Sequence, residues 1–243
     1  MRVRQRFERA ADYIAGLYSD LEDSIFKLII NALKDGDYKH VDQADVVMWQ
    51  AQQLQKIGRL NRDAIKLMAR TDGLSEDAVK DLIKFHGMKI VDEVDSQLKR
   101  ATKQSQPLSA DVTNKLDAIA DQTWTDLQNN VNESLVTRNY QHSAVTRAYR
   151  QILTESTIAT VSGATSHEDA VKHALYKAVD QGLPTRLVDK AGHNWSIEGY
   201  TRMVITTTVN RTYNDWRLQR MQDCDMHLAV MSSHPNSRLG CAP

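Results

Sequence analysis

Four residues near the C-terminus have side chains that could bind a metal ion: Cys224, His227, His234 and Cys241. Two thiolates and two imidazoles would give zinc a closed tetrahedral shell. Two residues separate the first pair, but six separate each later pair, a spacing that no standard zinc finger uses. The alternative is that Cys224 is a small buried apolar residue and that His234 and Arg238 hold the terminal loop by hydrogen bonds. We favour this alternative and predict no cofactor or metal.

A second group, His193, Trp195, Arg202 and Arg211, could form a nucleotide pocket. The sequence contains no Gly-rich phosphate loop, no Gly-x-Ser-x-Gly elbow and no His-Glu-x-x-His helix, which are the usual apparatus of phosphoryl transfer and hydrolysis. We predict instead that Trp195 fills the core of a small domain and that the two arginines are surface or ion-pair residues. The chain is therefore predicted not to be an enzyme.

The N-terminus carries a basic arm formed by Arg2, Arg4, Arg6 and Arg9. These arginines could neutralise the phosphates of DNA, or they could contact an acidic protein ring. Both interpretations stay open, so the four residues are candidate DNA or partner contacts.

A second basic strip, Arg138, His142, Arg147 and Arg150, follows helical spacing and could contact DNA. Arginine on an exposed helix is ordinary, so we favour a solvated helix face. Because Lys plus Arg and Asp plus Glu both number 31, no global field attracts the protein to nucleic acid. Any DNA contact must be local.

The chain has 243 residues, of which 41% are hydrophobic and 26% are charged, as is typical of folded proteins. It has only 10 Gly and 4 Pro, and the first proline is Pro107, so long helices are expected in the N-terminal half. Two cysteines favour a reducing compartment over a disulfide framework. No apolar run approaches membrane-spanning length, so we expect neither secretion nor membrane insertion.

Apolar residues in the first helix recur at alternating steps of four and three, which predicts a coiled-coil seam that needs a partner helix. They are Phe7, Ala11, Ile14, Tyr18, Leu21, Ile25, Leu28 and Ala32. A second helix is predicted from Asp42 to Arg70, ending near Gly73, and a third is predicted to begin at Ser75. A fourth, capped by Ser109, could extend to Leu153.

The clearest boundary is a capping box at Thr165–Glu168, followed by a helix that ends at Gly182. Residues 186–195 then read as a short hairpin, Ser196 caps a helix that runs to about Asp223, and residues 227–232 read as a strand. The predicted fold class is mainly α, with a coiled-coil-like helical body over residues 1–164 and a small α+β domain over residues 165–243.

The C-terminal segments resemble the phage minor capsid protein 2 family in order and spacing. The resemblance covers roughly the last quarter of the chain and rests on Gly182-Leu183-Pro184, Val188–Trp195, Tyr200–Met203, Thr207–Asp215, Ser232–Arg238 and Cys241-Ala242-Pro243. This chain departs from the family pattern at two positions: the family usually has an arginine where Thr206 stands and another basic residue where His193 stands. Family members continue beyond the Cys-Ala-Pro segment, so the C-terminus looks incomplete.

The resemblance implies a structural protein of a tailed-phage head, bound at or near the portal in multiple copies and acting in head morphogenesis or genome delivery. Its expected partners are the portal and other capsid proteins, with packaged DNA as a further candidate and no membrane in the assembled head. Its expected location is the virion, and the host cytoplasm during assembly. The alternative is a capsid-carried enzyme or toxin-like effector that uses the C-terminal Cys/His/Arg cluster.

Overall fold

The computed structural model describes residues 3–103, 111–135, 143–185, 187, 192 and 194–226, with the side chains of the first helix described from Glu8 onward. Within these ranges the protein is mainly helical, as predicted, and contains no strand. The α-helices are α1 (Val3–Lys34), α2 (Val46–Gln55), α3 (Ile57–Asp81), α4 (Gly87–Thr102), α5 (Asp111–Leu127), α6 (Glu133–Leu135), α7 (Ala144–Val161), α8 (His167–Gln181) and α9 (Ile197–Asp223). A 3-10 turn spans Tyr38–His40, and π-helical turns span Leu82–His86 and Gln128–Asn132.

Helix α1 lies against α3 and α9 of the same chain. The first part of the predicted stripe, from Ala11 to Ile25, is buried. Beyond Ile25 the buried residues of α1 are Phe26, Ile29 and Leu33, whereas Leu28 and Ala32 lie half-buried at the edge of the core. Steps of four follow the 3.6-residue period of a straight helix rather than a heptad. The coiled-coil pairing is therefore not confirmed, since neighbouring helices of the fold cover this stripe.

Helix α3 is continuous where a boundary was predicted. It passes through Gly73, and Ser75, predicted to cap the next helix, lies fully buried inside it. The interruption lies at Lys56 instead, between α2 and α3. A helical glycine costs only about 1 kcal/mol relative to alanine, which burial of the apolar face against α1 outweighs. The predicted stop at Gly73 is wrong for this reason.

The predicted fourth helix is not continuous as far as Leu153. Ser143 has an extended backbone, and its hydroxyl accepts a hydrogen bond from the N–H of Thr146 at 3.1 Å, so a new helix, α7, begins here. Ser109, the predicted cap of the earlier helix, lies outside the described residues. The capping hydroxyl of Ser143 thus fixes a boundary that periodicity alone did not show.

The boundaries of α8 and α9 agree closely with the predictions. The side chain of Ser166 accepts from the N–H of Asp169 at 3.2 Å, one residue later than the predicted capping box. Helix α8 ends at Gln181, and the predicted stop, Gly182, is its C-cap, with a φ of 72° in the region that favours glycine. Ser196 caps α9 by accepting from the N–H of Gly199 at 3.0 Å, and the helix ends at Asp223.

The predicted small α+β domain is not supported. Helix α9 packs along α1, α4 and α5 rather than against a sheet. Of the predicted hairpin, the structure describes only Leu187, Gly192, Asn194 and Trp195, and the N–H of Trp195 donates to the carbonyl of Leu187 at 2.8 Å. The rest of the hairpin lies outside the described residues, so it stays a prediction. The predicted strand at residues 227–232 lies outside the described residues. The division at residue 165 stays a prediction, and one hydrophobic cluster contains buried residues from both sides of it.

An ion pair joins α9 to α4 in the part of the chain that the structure describes. The guanidinium of Arg220 is almost fully buried, with Nε 2.5 Å from a carboxylate oxygen of Asp95 and Nη1 2.8 Å from Asp223. The carboxylate of Asp95 and, secondarily, that of Asp223 raise the pKa of Arg220. Since burying an unpaired guanidinium is costly, this geometry holds α9 against α4 in one register.

Buried hydrogen bonds fix α7 against α2 and α3. The amide nitrogen of Asn61 donates to the hydroxyl of Thr146 at 2.8 Å, and the hydroxyl of Ser143 donates to the amide oxygen of Asn61 at 2.9 Å. One turn further along α7, the hydroxyl of Tyr149 donates to the amide oxygen of Gln53 at 3.1 Å. Sliding α7 would leave several of these groups unpaired, so the network selects one packing.

Candidate docking surface

The predicted basic arm is described only in part. Arg4 and Arg6 belong to the first turns of α1, but their side chains, and all of Arg2, lie outside the described residues. Arg9 is exposed on α1. The assignment of the arm to DNA or to a protein partner therefore stays a prediction.

Of the four zinc candidates, the structure describes only Cys224, which is a buried residue at the C-terminal end of α9. Its burial agrees with the interpretation of Cys224 as a small apolar residue. His227, His234 and Cys241 lie outside the described residues. Among the residues that are described, no three His, Cys, Asp or Glu side chains are grouped to hold a metal ion.

The two arginines of the predicted nucleotide pocket lie apart on α9. The guanidinium of Arg202 lies 2.9 Å from a carboxylate oxygen of Asp12 and 3.0 Å from one of Glu198, so it forms ion pairs at the surface as predicted. Arg211 is exposed, nine residues or about 13 Å further along the helix axis. Trp195 is half-buried against the core, and His193 lies outside the described residues.

The second basic strip is not brought together either. The guanidinium of Arg147 donates hydrogen bonds to the carbonyl of Pro184. Arg150 is exposed, and Arg138 and His142 lie outside the described residues. Arg147 of α7 therefore holds the loop that follows α8 in place.

The Gly182-Leu183-Pro184 segment, on which the sequence resemblance partly rests, is fixed from two helices. The carboxylate of Glu22 on α1 accepts a hydrogen bond from the N–H of Leu183 at 2.6 Å. A Cβ atom on Gly182 would lie 3.0 Å from the same oxygen, so little room remains there. Burial raises the pKa of Glu22, and the Leu183 hydrogen bond partly offsets that rise. Together with Arg147, Glu22 holds the turn that leads from α8 to α9.

An open groove lies between the N-terminal part of α1 and the outer face of α3. Its volume is about 870 Å³, and its apolar lining includes Tyr13, Ile14, Leu74, Ala78 and Phe85. Ile14 is buried in the floor, whereas Tyr13, Leu74 and Phe85 are each 58% exposed at the walls. Three large apolar side chains around one groove form a surface of the kind that binds a protein partner.

The local structure explains why Phe85 faces outward. It lies in the π turn Leu82–His86, where Leu82 and Ile83 are buried. The next residue, Gly87, packs closely against α5, because a Cβ atom there would lie 2.5 Å from a methyl carbon of Leu116. This contact anchors one side of the turn, and Phe85 lies on the exposed side. Single π turns of this kind are frequent at functional sites.

Two carboxylates, Asp77 and Asp81, line the same groove one helical turn apart. Both residues are exposed, and neither forms an ion pair with another described residue. Their neighbours differ: Glu76 pairs with Lys80 at 2.7 Å, and Lys84 pairs with Asp117 of α5 at 2.8 Å. Lys84, which this ion pair engages, and His86 also line the groove. The groove is therefore apolar with an acidic wall, formed by Asp77 and Asp81.

Sequence reasoning missed this groove. The available signal was the presence of Tyr13, Leu74 and Phe85 outside the buried stripes of their helices. Such residues occur singly on most protein surfaces, so they gain meaning only when two helices bring them together.

No helix in the described ranges is both long enough and apolar enough to cross a membrane.

Comparison with known proteins gives a match along nearly the whole chain. A family model described as phage minor capsid protein 2 matches residues 4–243. The chain is also 39% identical over 230 residues to a protein named "Structural protein" from Lactococcus phage LL-H, a match that covers 93% of this chain and 62% of that relative. The chain thus spans less than two thirds of the relative's length. No solved structure matches. The chain belongs to the phage minor capsid protein 2 family.

Proposed function

We propose that this protein is a structural component of the phage head, bound at or near the portal vertex in multiple copies. It acts there in head morphogenesis or genome delivery through contacts with portal and other capsid proteins. Membership of a family of phage structural proteins supports assembly rather than catalysis as its role. The virion is accordingly its place of action.

The single observation that carries this proposal beyond the family is the groove between α1 and α3. Most helices of the described part bury their apolar faces in one core, yet Tyr13, Leu74 and Phe85 remain exposed around one concave surface. Exposing apolar surface costs free energy unless a partner covers it. Docking of another head protein would cover it.

Imaging of whole particles tests the location. A head in which this chain carries a compact tag should show additional density at the unique portal vertex. Density distributed over all capsomers would contradict the portal assignment, and particles that lack the chain would contradict a structural role altogether.

Packaged DNA is a further candidate contact, through Arg2, Arg4, Arg6 and Arg9. Four phosphate contacts predict that log K for duplex DNA falls with log salt concentration with a slope of about −3.6. Replacing the four arginines with glutamine should remove that dependence. Binding with the same salt slope in the variant would assign the DNA contact to another part of the chain.

A further inference from the structure

We infer that the groove between α1 and α3 binds an amphipathic helix of another head protein, with an apolar stripe and Lys or Arg side chains one turn apart. The inference rests on the proposed structural role and specifies the chemistry of the partner. It follows from the shape, the exposed apolar area and the charge of the groove.

The shape fits a helix of about three turns. Leu74 and Phe85 are eleven residues apart on the α3 side, or about 16 Å along the helix axis. Tyr13 faces them from α1, and the small side chains of Ala10 and Ala78 leave the space between the walls open. An apolar stripe with the spacing i, i+4, i+7 can contact all three exposed side chains.

The charge selects a basic partner. Asp77 and Asp81 are spaced i, i+4 along the acidic wall, so two cations at the same spacing on a bound helix could meet both carboxylates. The described lysines that follow in this part of the chain already have partners. Lys80 pairs with Glu76 at 2.7 Å, and this bond, with a smaller contribution from Asp77, raises its pKa. The ammonium of Lys84 lies 2.8 Å from Asp117, and that of Lys89 lies 3.8 Å above the centre of the Phe85 ring. Among the described side chains, therefore, no cation forms an ion pair with Asp77 or Asp81, and a cation on a bound helix could do so.

Other classes of ligand fit less well. The unpaired carboxylates would repel the phosphates of DNA, and the apolar floor offers nothing to a small hydrated cation. A helix that is only apolar would leave Asp77 and Asp81 poorly solvated and unpaired. A basic amphipathic helix would cover the apolar lining with its apolar stripe and pair its cations with Asp77 and Asp81.

Photocrosslinking in assembled particles tests the inference. p-Benzoylphenylalanine is placed at Tyr13 or at Phe85, with Tyr176 of α8, which is 72% exposed, as the control position. We expect both groove positions to crosslink to one segment of a different head protein, with Lys or Arg spaced i, i+4, and the control position not to do so. A crosslink to a second copy of this chain, a crosslink within the chain, or no crosslink at either groove position would overturn the inference.

Charge variants separate this inference from the proposed function. The double variant Asp77→Asn/Asp81→Asn should lower the crosslink yield about tenfold, whereas Asp180→Asn, an exposed carboxylate on α8, should leave it unchanged. Circular dichroism should show that both variants fold. An unchanged yield in the double variant overturns the inference, even if the protein still enters heads. Absence of the parent chain from heads would instead contradict the proposed function itself.

Discussion

Gly36 lies where the turn after α1 meets the buried side chain of Gln53. A Cβ atom at Gly36 would lie 1.8 Å from the amide nitrogen of Gln53, whose amide oxygen accepts the hydrogen bond from Tyr149. Gly36→Ala must displace Gln53 and break that bond, so we expect a loss of about 1–3 kcal/mol in the free energy of unfolding. Urea denaturation of the variant and the parent protein measures this difference in the free energy of unfolding.

Gly73→Ala is the matched control. A Cβ atom at Gly73 would have no atom within 4 Å, and the residue lies inside α3. We expect this variant to gain roughly 0.5–1 kcal/mol, because alanine is the better helix former. Destabilisation by Gly73→Ala would mean that the helix ends there after all.

His167 makes the stability of the protein depend on pH. Its Nδ1 lies 2.9 Å from the hydroxyl of Thr160, its ring packs edge-on against Trp49 at 4.3 Å between centroids, and burial lowers its pKa from the ordinary value of 6.5. The unfolded chain therefore takes up a proton first as the pH falls below 6.5, so stability should decrease from there down to the folded pKa. His167→Gln should reduce the slope of the unfolding free energy between about pH 7 and pH 5.

The exposed His173, on the same helix, supplies the comparison. His173→Gln should leave the slope as in the parent protein. Equal slopes in the parent and the His167→Gln variant would show that burial of His167 does not contribute to the acid sensitivity.

At the scale of the element, the sequence predicted helix ends best where a single residue determines them. Gly182 and Ser196 each act through their own backbone conformation and hydrogen bonds. The local sequence is therefore enough to predict the end of α8 and the start of α9. Gly73 and Ser75 have the same residue types as Gly182 and Ser196. They nevertheless lie inside α3, because α1 covers that face of the helix. Packing of this kind is absent from the local sequence, and the predicted boundary failed there.

The second half of α1 distinguishes a heptad seam from a straight helical stripe. Ile29 is fully buried, whereas Leu28, which the heptad would place in the seam, is half-buried. We expect Ile29→Ala to cost about 2–5 kcal/mol, because it leaves a cavity, and Leu28→Ala to cost clearly less. Thermal denaturation of the two variants measures the difference. The reverse order of stability would restore the coiled-coil interpretation.

At the scale of the whole molecule, the sequence predicted the helical class and many of the buried residues but not how the helices pair. The buried face of α2 and α3 was predictable from periodicity, since Val46, Trp49 and Leu60 recur on one side. The groove depends on which part of α3 faces Tyr13, and periodicity does not determine that. For the same reason the sequence suggested a separate small domain, whereas α9 lies along α1.

The packing of α9 leads to a prediction about fragments. Ile205 and Trp216 are buried in the cluster that α1 also enters, and Arg220 pairs with Asp95 of α4. A fragment starting at Ser166 lacks α1, α4 and α5, so α9 would expose its apolar face. We expect this fragment to show little cooperative unfolding by itself and to regain helical content when mixed with residues 1–165. Circular dichroism of each piece and of the mixture measures this. A fragment from Ser166 that unfolds cooperatively without its complement would establish the two-domain division and would require that α9 is stable without the α1 surface.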